Sequence, residues 1–187
     1  QPVGTVPGSR RSNVLINEKA DTMQGHPEHE HEAAMLVEMT IKGLMVDPVT
    51  NTPIVILKDT KGERVLPIWV GIFEANAIAL QIENITTPHP MTHDLLRNVI
   101  NDLDGEVERI VVSDLKENTF YAVIHLVVRG ERVAIDARPS DAIALALRTH
   151  APILVEESVI DNAKTVDYTG DRADSDRLQK WLESLDP

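Results

Sequence analysis

The chain has 187 residues, 42% of them hydrophobic, which suffices for one well-cored domain with tails and falls short of two. A formal charge of -12 excludes a protein that coats duplex DNA through a basic face, and the absence of cysteine excludes disulfides and thiolate metal sites. No apolar run approaches the roughly 20 residues of a membrane span and nothing at the N-terminus reads as a secretory signal, so a cytoplasmic protein is expected.

Residues 1–34 are rich in Gly, Pro, Glu and His and read as a flexible polar leader. Its His26, His29 and His31 suit a transition metal in vitro, although a polar tail is the simpler account. The domain is expected over 35–160. Val37 to Val46 alternates as a first strand, DPVTNTP (47–53) is a turn, and Ile54 to Leu57 begins a second strand. A third runs from Arg64 to Val70, where Pro67 points to an edge or a bulge. Phe73 to Glu83 has helical spacing. A second helix starts near Thr92 as N-cap, carries Leu95, Leu96, Val99, Ile100 and Leu103 as its apolar stripe, and ends at Gly105. Val107 to Val112 is a strand, SDLKEN (113–118) a turn, and Thr119 to Val128 a long strand that Gly130 turns back. A further strand through Val133, Ile135 and Ala137 leads to Pro139, with Ser140 as the expected N-cap of a helix that is apolar nearly all round and therefore buried. Pro152 to Val155 is the last strand. Residues 161–187 read as a polar linker ending in a short amphipathic helix through Leu178, Trp181, Leu182 and Leu185.

Two short identities repeat in order. GERV occurs at 62–65 and 130–133, and AIAL at 77–80 and 142–145. A duplicated strand-strand-strand-helix unit accounts for both, with the Thr92 helix inserted between the copies. The fold class expected is α+β, with a mostly antiparallel sheet and packed helices.

The polar candidates gather at the strand-to-helix corners: Glu74 in the first copy, His93 and Asp94 on the inserted helix, and Asp136, Arg138, Ser140 and Asp141 in the second. Carboxylates beside a His and an Arg suit metal-assisted phosphodiester cleavage. Asp136, Asp141 and either Glu74 or Asp94 would hold Mg²⁺ or Mn²⁺ through oxygen, Arg138 would bind phosphate, and His93 would act as general acid or base. Structure alone also explains each residue: Asp141 and Asp94 complement helix dipoles, Ser140 caps, and Asp136 could pair with Arg138. His125 reads as a core or cross-strand residue. Trp69 could stack on a base, but a strand Trp more often fills core.

LPIWVGIFEANAIAL (66–80), THDLL (92–96), FYAVI (120–124), IDARPSDAIALALR (135–148) and APILVEE (151–157) resemble the bifunctional nuclease domain family of bacteria and plants, over roughly Met35 to Asp161. The resemblance implies degradation of both DNA and RNA, and carries over Glu74, His93, Asp94, Asp136, Arg138, Ser140 and Asp141 as motif positions. It also implies Arg-Pro ahead of Thr-His-Asp, where this chain has His89-Pro90. If the family's Arg contacts phosphate, His89 is a pH-dependent substitute. Some relatives carry a C-terminal helical hairpin of UVR type, which the tail is too short to supply. Two functions are therefore expected: a nuclease acting on DNA and RNA with a divalent metal, or a non-catalytic module in which Arg138 and a helix N-terminus bind an anion or a protein partner. The acidic balance favours the second and the resemblance the first. A homo-oligomer is expected from the exposed strand edges and the amphipathic tail helix.

Overall fold

A computed structural model describes residues 35–61 and 64–163. The expected leader and amphipathic tail helix lie outside them. Three strands open the chain, β1 (Leu36–Val46), β2 (Pro53–Asp59) and β3 (Val65–Trp69), followed by α1 (Ile72–Ile82) and α2 (Thr92–Asp102). Three more follow, β4 (Gly105–Lys116), β5 (Thr119–Val128) and β6 (Glu131–Ala137), then α3 (Pro139–Thr149), β7 (Ile153–Glu156) and α4 (Glu157–Ala163). The fold is α+β: the strands form a sheet in the order β3-β2-β1-β7-β4-β5-β6, antiparallel everywhere except β4 against β7.

That order reads as two three-stranded meanders on either side of β7. Since β1 is antiparallel to β7 and β4 parallel to it, β1 and β4 run in opposite directions, as a twofold axis through the sheet requires. Each meander is followed by a helix, α1 or α3, and these two pack together. The duplicated unit is thus present in three dimensions.

Burial explains the strand patterns. Ile54, Val55, Ile56 and Leu57 of β2 are all buried, because Val55 and Leu57 enter the main core while Ile54 and Ile56 meet Met45, Val65 and Trp69 on the other face. Pro67 sits in edge strand β3, where its missing N–H breaks no outer ladder. Helix α3 is buried along nearly its whole length, as its Ala, Ile and Leu content demands.

Several local expectations are corrected. The N-cap of α3 is Arg138, and Ser140 stands two positions inside, because Pro139 with its fixed φ takes the first helical position. The N-cap of α2 is Met91, since the Asp94 carboxylate reaches back to accept from the Met91 amide at 2.9 Å. That helix ends at Leu103, with Asp104 at φ 58, and Gly105 already opens β4. Most of the expected SDLKEN turn is strand; only Glu117 and Asn118 turn, at φ 49 and 61, a two-residue hairpin whose hand suits the sheet twist. The stripe of α2 is mostly exposed: of Leu95, Leu96, Val99, Ile100 and Leu103, only Ile100 is buried. Helix α4 was not foreseen from the sequence pattern. No helix among the described residues is long and apolar enough to cross a membrane.

Candidate active site

Both helices that close the meanders begin the same way, with an extended N-cap and an acid in the first turn: Gly71 and Glu74 on α1, Arg138 and Asp141 on α3. The positive ends of the two helix dipoles favour both carboxylates. Arg138 joins them. Its Nε and Nη2 donate to the two oxygens of Asp141 at 2.6 and 3.0 Å, and its Nη1 lies 2.8 Å from Glu74 Oε1. Gly71 leaves room for this, because a Cβ there would meet the Glu74 carboxylate and push it aside. From the first turn of α2, His93 brings Nε2 to 3.1 Å from Asp141 Oδ1, with its side chain largely buried. Glu74, His93, Arg138 and Asp141 line a pocket of about 360 Å³, with the exposed Phe73 at its wall.

Burial pushes the Asp141 pKa up, but hydrogen bonds from Arg138 and His93 outweigh it and hold the carboxyl below the ordinary range. Arg138 is in turn raised, first by its hydrogen bond to Asp141. The result is a carboxylate that stays ionised, orients an imidazole and anchors a guanidinium. Three of the five guanidinium N–H groups are engaged by Asp141 and Glu74, which leaves donors for a phosphate, and the side chain is 64% exposed.

Asp94 serves a different purpose. Besides capping α2, it accepts from Arg148 Nε at 2.7 Å, while Arg148 also donates to the carbonyls of Ala144 at 2.8 Å and Ala77 at 3.1 Å. This clamp ties α1, α2 and α3 together and so holds His93 in place. Burial opposes ionisation of Asp94, yet the Met91 amide and Arg148 keep its pKa below the ordinary range. Arg148 was within the quoted motif but not singled out; its helical position four residues beyond Ala144 gave no sign of a partner in another helix.

The other candidates stand apart from this network. His89 is exposed and lines a neighbouring pocket of about 300 Å³ with Asp94, Arg97 and Arg148. Asp136 lies exposed on edge strand β6 opposite Val123, and takes no part in the hydrogen bonds of the cluster, so it does not pair with Arg138. Ser140 lines a third pocket, on the other side of Arg138. His125 is a half-buried cross-strand residue whose pKa is lowered by burial and then by Arg109.

This arrangement does not fit the expected Mg²⁺ or Mn²⁺ centre. Asp141 gives both oxygens to Arg138, Glu74 gives one, and Asp136 is outside the network; among the described residues no three His, Asp or Glu side chains are grouped to hold a metal. The acids are organised around a guanidinium.

Residues 55–167, more than half of the chain, match the profile of the Bifunctional nuclease domain. The chain belongs to the bifunctional nuclease family. An uncharacterized protein of Mycobacterium tuberculosis is 37% identical over 155 residues, covering 80% of this chain and 93% of its own length. Bifunctional nuclease 1 of Oryza sativa subsp. indica is 24% identical over 119 residues, 62% of this chain and 36% of the rice protein. Bifunctional nuclease 2 of Arabidopsis thaliana is 26% identical over 107 residues, 55% and 32% of the two chains. The stretch shared with the bifunctional nuclease family runs from β2 past α4 and contains both strand-to-helix corners and the helix that carries His93.

Proposed function

We propose that this chain is a nuclease that hydrolyses phosphodiester bonds of DNA and RNA at the Arg138–Asp141–His93 cluster. The observation that carries this reading is one carboxylate hydrogen-bonded to both a guanidinium and an imidazole at the wall of a pocket. Membership of the bifunctional nuclease family supports the reaction class. Arg138 binds the non-bridging oxygens of the scissile phosphate with its remaining N–H groups. Asp141 accepts a hydrogen bond from His93 Nε2–H and stays ionised, which leaves Nδ1 as the base. Nδ1 takes a proton from water, the water oxygen forms its bond to phosphorus, the bond to the leaving oxygen breaks, and the proton passes to that oxygen. No step is routed through a metal.

The test is cleavage of single- and double-stranded DNA and RNA by purified protein, with and without EDTA, beside His93→Ala and Arg138→Ala. Cleavage that survives EDTA and is lost in both variants supports the mechanism. Cleavage abolished by EDTA and restored by Mn²⁺ would return the carboxylates to the role of metal ligands. Binding of phosphate without turnover would favour the non-catalytic anion module, which the acidic balance of the chain supports. Self-association belongs to the same proposal: Leu95 and Leu103 on α2 are 58% and 53% exposed, and a second copy seated on this stripe would cover them. A light-scattering mass equal to one chain would exclude it. A cytoplasmic location is also proposed, since a chain without cysteine needs no oxidising compartment.

A further inference from the structure

Building on the nuclease reading, we infer that the pocket beside Arg97 holds a phosphate neighbouring the scissile one on the same nucleic acid strand. Arg97 is its main contact. The pocket encloses about 300 Å³ and is lined by Gln81, Thr86, His89, Asp94, Arg97 and Arg148 among others. It adjoins the pocket of the Arg138 cluster, because Met91 lines both.

Three features point to an anion there. The first is an unpaired charge. Of the seven arginines among the described residues, Arg64, Arg109, Arg129, Arg132, Arg138 and Arg148 form ion pairs with carboxylates, and Arg97 forms none. Its Nε and Nη2 donate instead to the neutral Asn98 Oδ1 at 3.2 and 3.0 Å, which leaves three of its five N–H groups for a ligand. Secondly, the pocket offers that ligand little repulsion. Asp94 is the only acid of the lining, and its Oδ1 accepts from Arg148 while its Oδ2 accepts from the Met91 amide. Asp94 and Arg148 cancel, so the lining keeps the positive charge of Arg97 in a chain of formal charge -12, and a protonated His89 adds to it. The Thr87 hydroxyl donates to the His89 carbonyl at 2.6 Å and braces the loop that carries this imidazole. Thirdly, the spacing suits a strand. Helix α2 brings His93 to the catalytic pocket and Arg97, four residues on, to this one. Four residues of helix rise about 6 Å, or one to two nucleotide steps of about 3.4 Å. A strand with one phosphate on Arg138 thus passes Met91 and brings a neighbouring phosphate to Arg97, where Thr86 and Gln81 add hydrogen-bond donors.

The experiment measures binding of a short fluorescent oligothymidylate to the full-length protein by anisotropy over a salt series, with cleavage of the same strand in parallel. Arg97→Gln is expected to weaken binding about tenfold and to lower the slope of log K against log salt by about 0.7, the share of one single-strand phosphate. It should raise KM more than it lowers kcat. Arg97→Lys keeps the charge and should retain the slope. A thermal melt shows that both variants fold. If the strand is cleaved while Arg97→Gln leaves affinity and slope unchanged, the phosphate contact is wrong and the nuclease reading stands. If Arg97→Gln has the expected effect on binding but no nucleic acid is cleaved, the contact stands and the nuclease reading fails. Equal losses in Arg97→Lys and Arg97→Gln would assign the effect to packing and overturn the contact. Inorganic phosphate that raises the melting temperature of the wild type but not of Arg97→Gln, with equal oligonucleotide binding by the two, would assign the pocket to a free anion and also overturn it.

Discussion

The two strand-to-helix corners share a backbone plan and differ in what they place on it. The first, at Gly71, is stripped to a hydrogen atom so that the Glu74 carboxylate can lie close to the chain. The second, at Arg138, carries the longest cationic side chain, which spans from its own helix's acid to that of the other corner. Each helix places one acid in its first turn, and the difference between the two N-cap residues makes the pair of carboxylates an asymmetric site. Symmetry explains why the elements meet. The departure from it is what the proposed chemistry depends on.

The most damaging way to break the asymmetry is to remove its cation or its base. His93→Ala is expected to lower kcat by about 10²–10⁴-fold, the usual worth of a general acid or base, and Arg138→Lys should not rescue Arg138→Ala, because an ammonium cannot chelate Asp141 while reaching Glu74 and a phosphate. Steady-state kinetics on a labelled oligonucleotide decide this; a Lys variant with native kcat/KM would show that the fork geometry is irrelevant. Next comes the clamp that holds the three helices. Asp94→Ala leaves the Arg148 charge buried without its carboxylate partner and should cost about 3–5 kcal/mol, read in a denaturant melt. A change below 1 kcal/mol would mean that the carbonyls of Ala77 and Ala144 are enough.

A subtler test restores a side chain to the bare corner. Gly71→Ala is compatible with the backbone, at φ -69, but its methyl group would displace Glu74, and a loss of activity of about tenfold with little change in melting temperature is expected. Unchanged activity would make the Glu74 contact incidental. Asp136→Asn, at a side chain outside the network, should alter activity by less than about twofold in the same kinetic assay, well below the cost of losing an acid or base.

Acid titration sharpens the same comparison. Asp94 and Asp141 both have pKa values lowered in the folded state, so their contributions to stability are full above the unfolded-state value and vanish as protons bind. Stability should therefore fall as pH drops below about 4. The double variant Asp94→Asn, Asp141→Asn should flatten that decline; an equally steep decline would assign it to other carboxylates.

Much of this was legible in the chain. Alternation located strands such as β5, which keeps one dry face, and the all-round apolar stretch of α3 could only be interior. The repeated GERV and AIAL strings exposed the duplication, from which a meeting of corners followed. What stayed hidden depended on partners distant in sequence. The Asp94–Arg148 pair spans 54 positions, and no local pattern announces it. Cap positions were misplaced because side-chain chemistry was weighed above backbone preference: Pro139 settles the first helical position whatever Ser140 offers. Asp136 looked like a ligand by its place in a distinctive motif, yet strand geometry sends it to an open edge, while Glu74, far away in the chain, completes the network.

The position of β7 carries a consequence for synthesis. Among the described residues it is the last strand made but the central one in the sheet, and there the two meanders are joined in the ladder only through it. A nascent chain on the ribosome therefore holds both corners before it holds the seam that registers one against the other. The proposed site should therefore be complete only once Ile153–Glu156 has emerged.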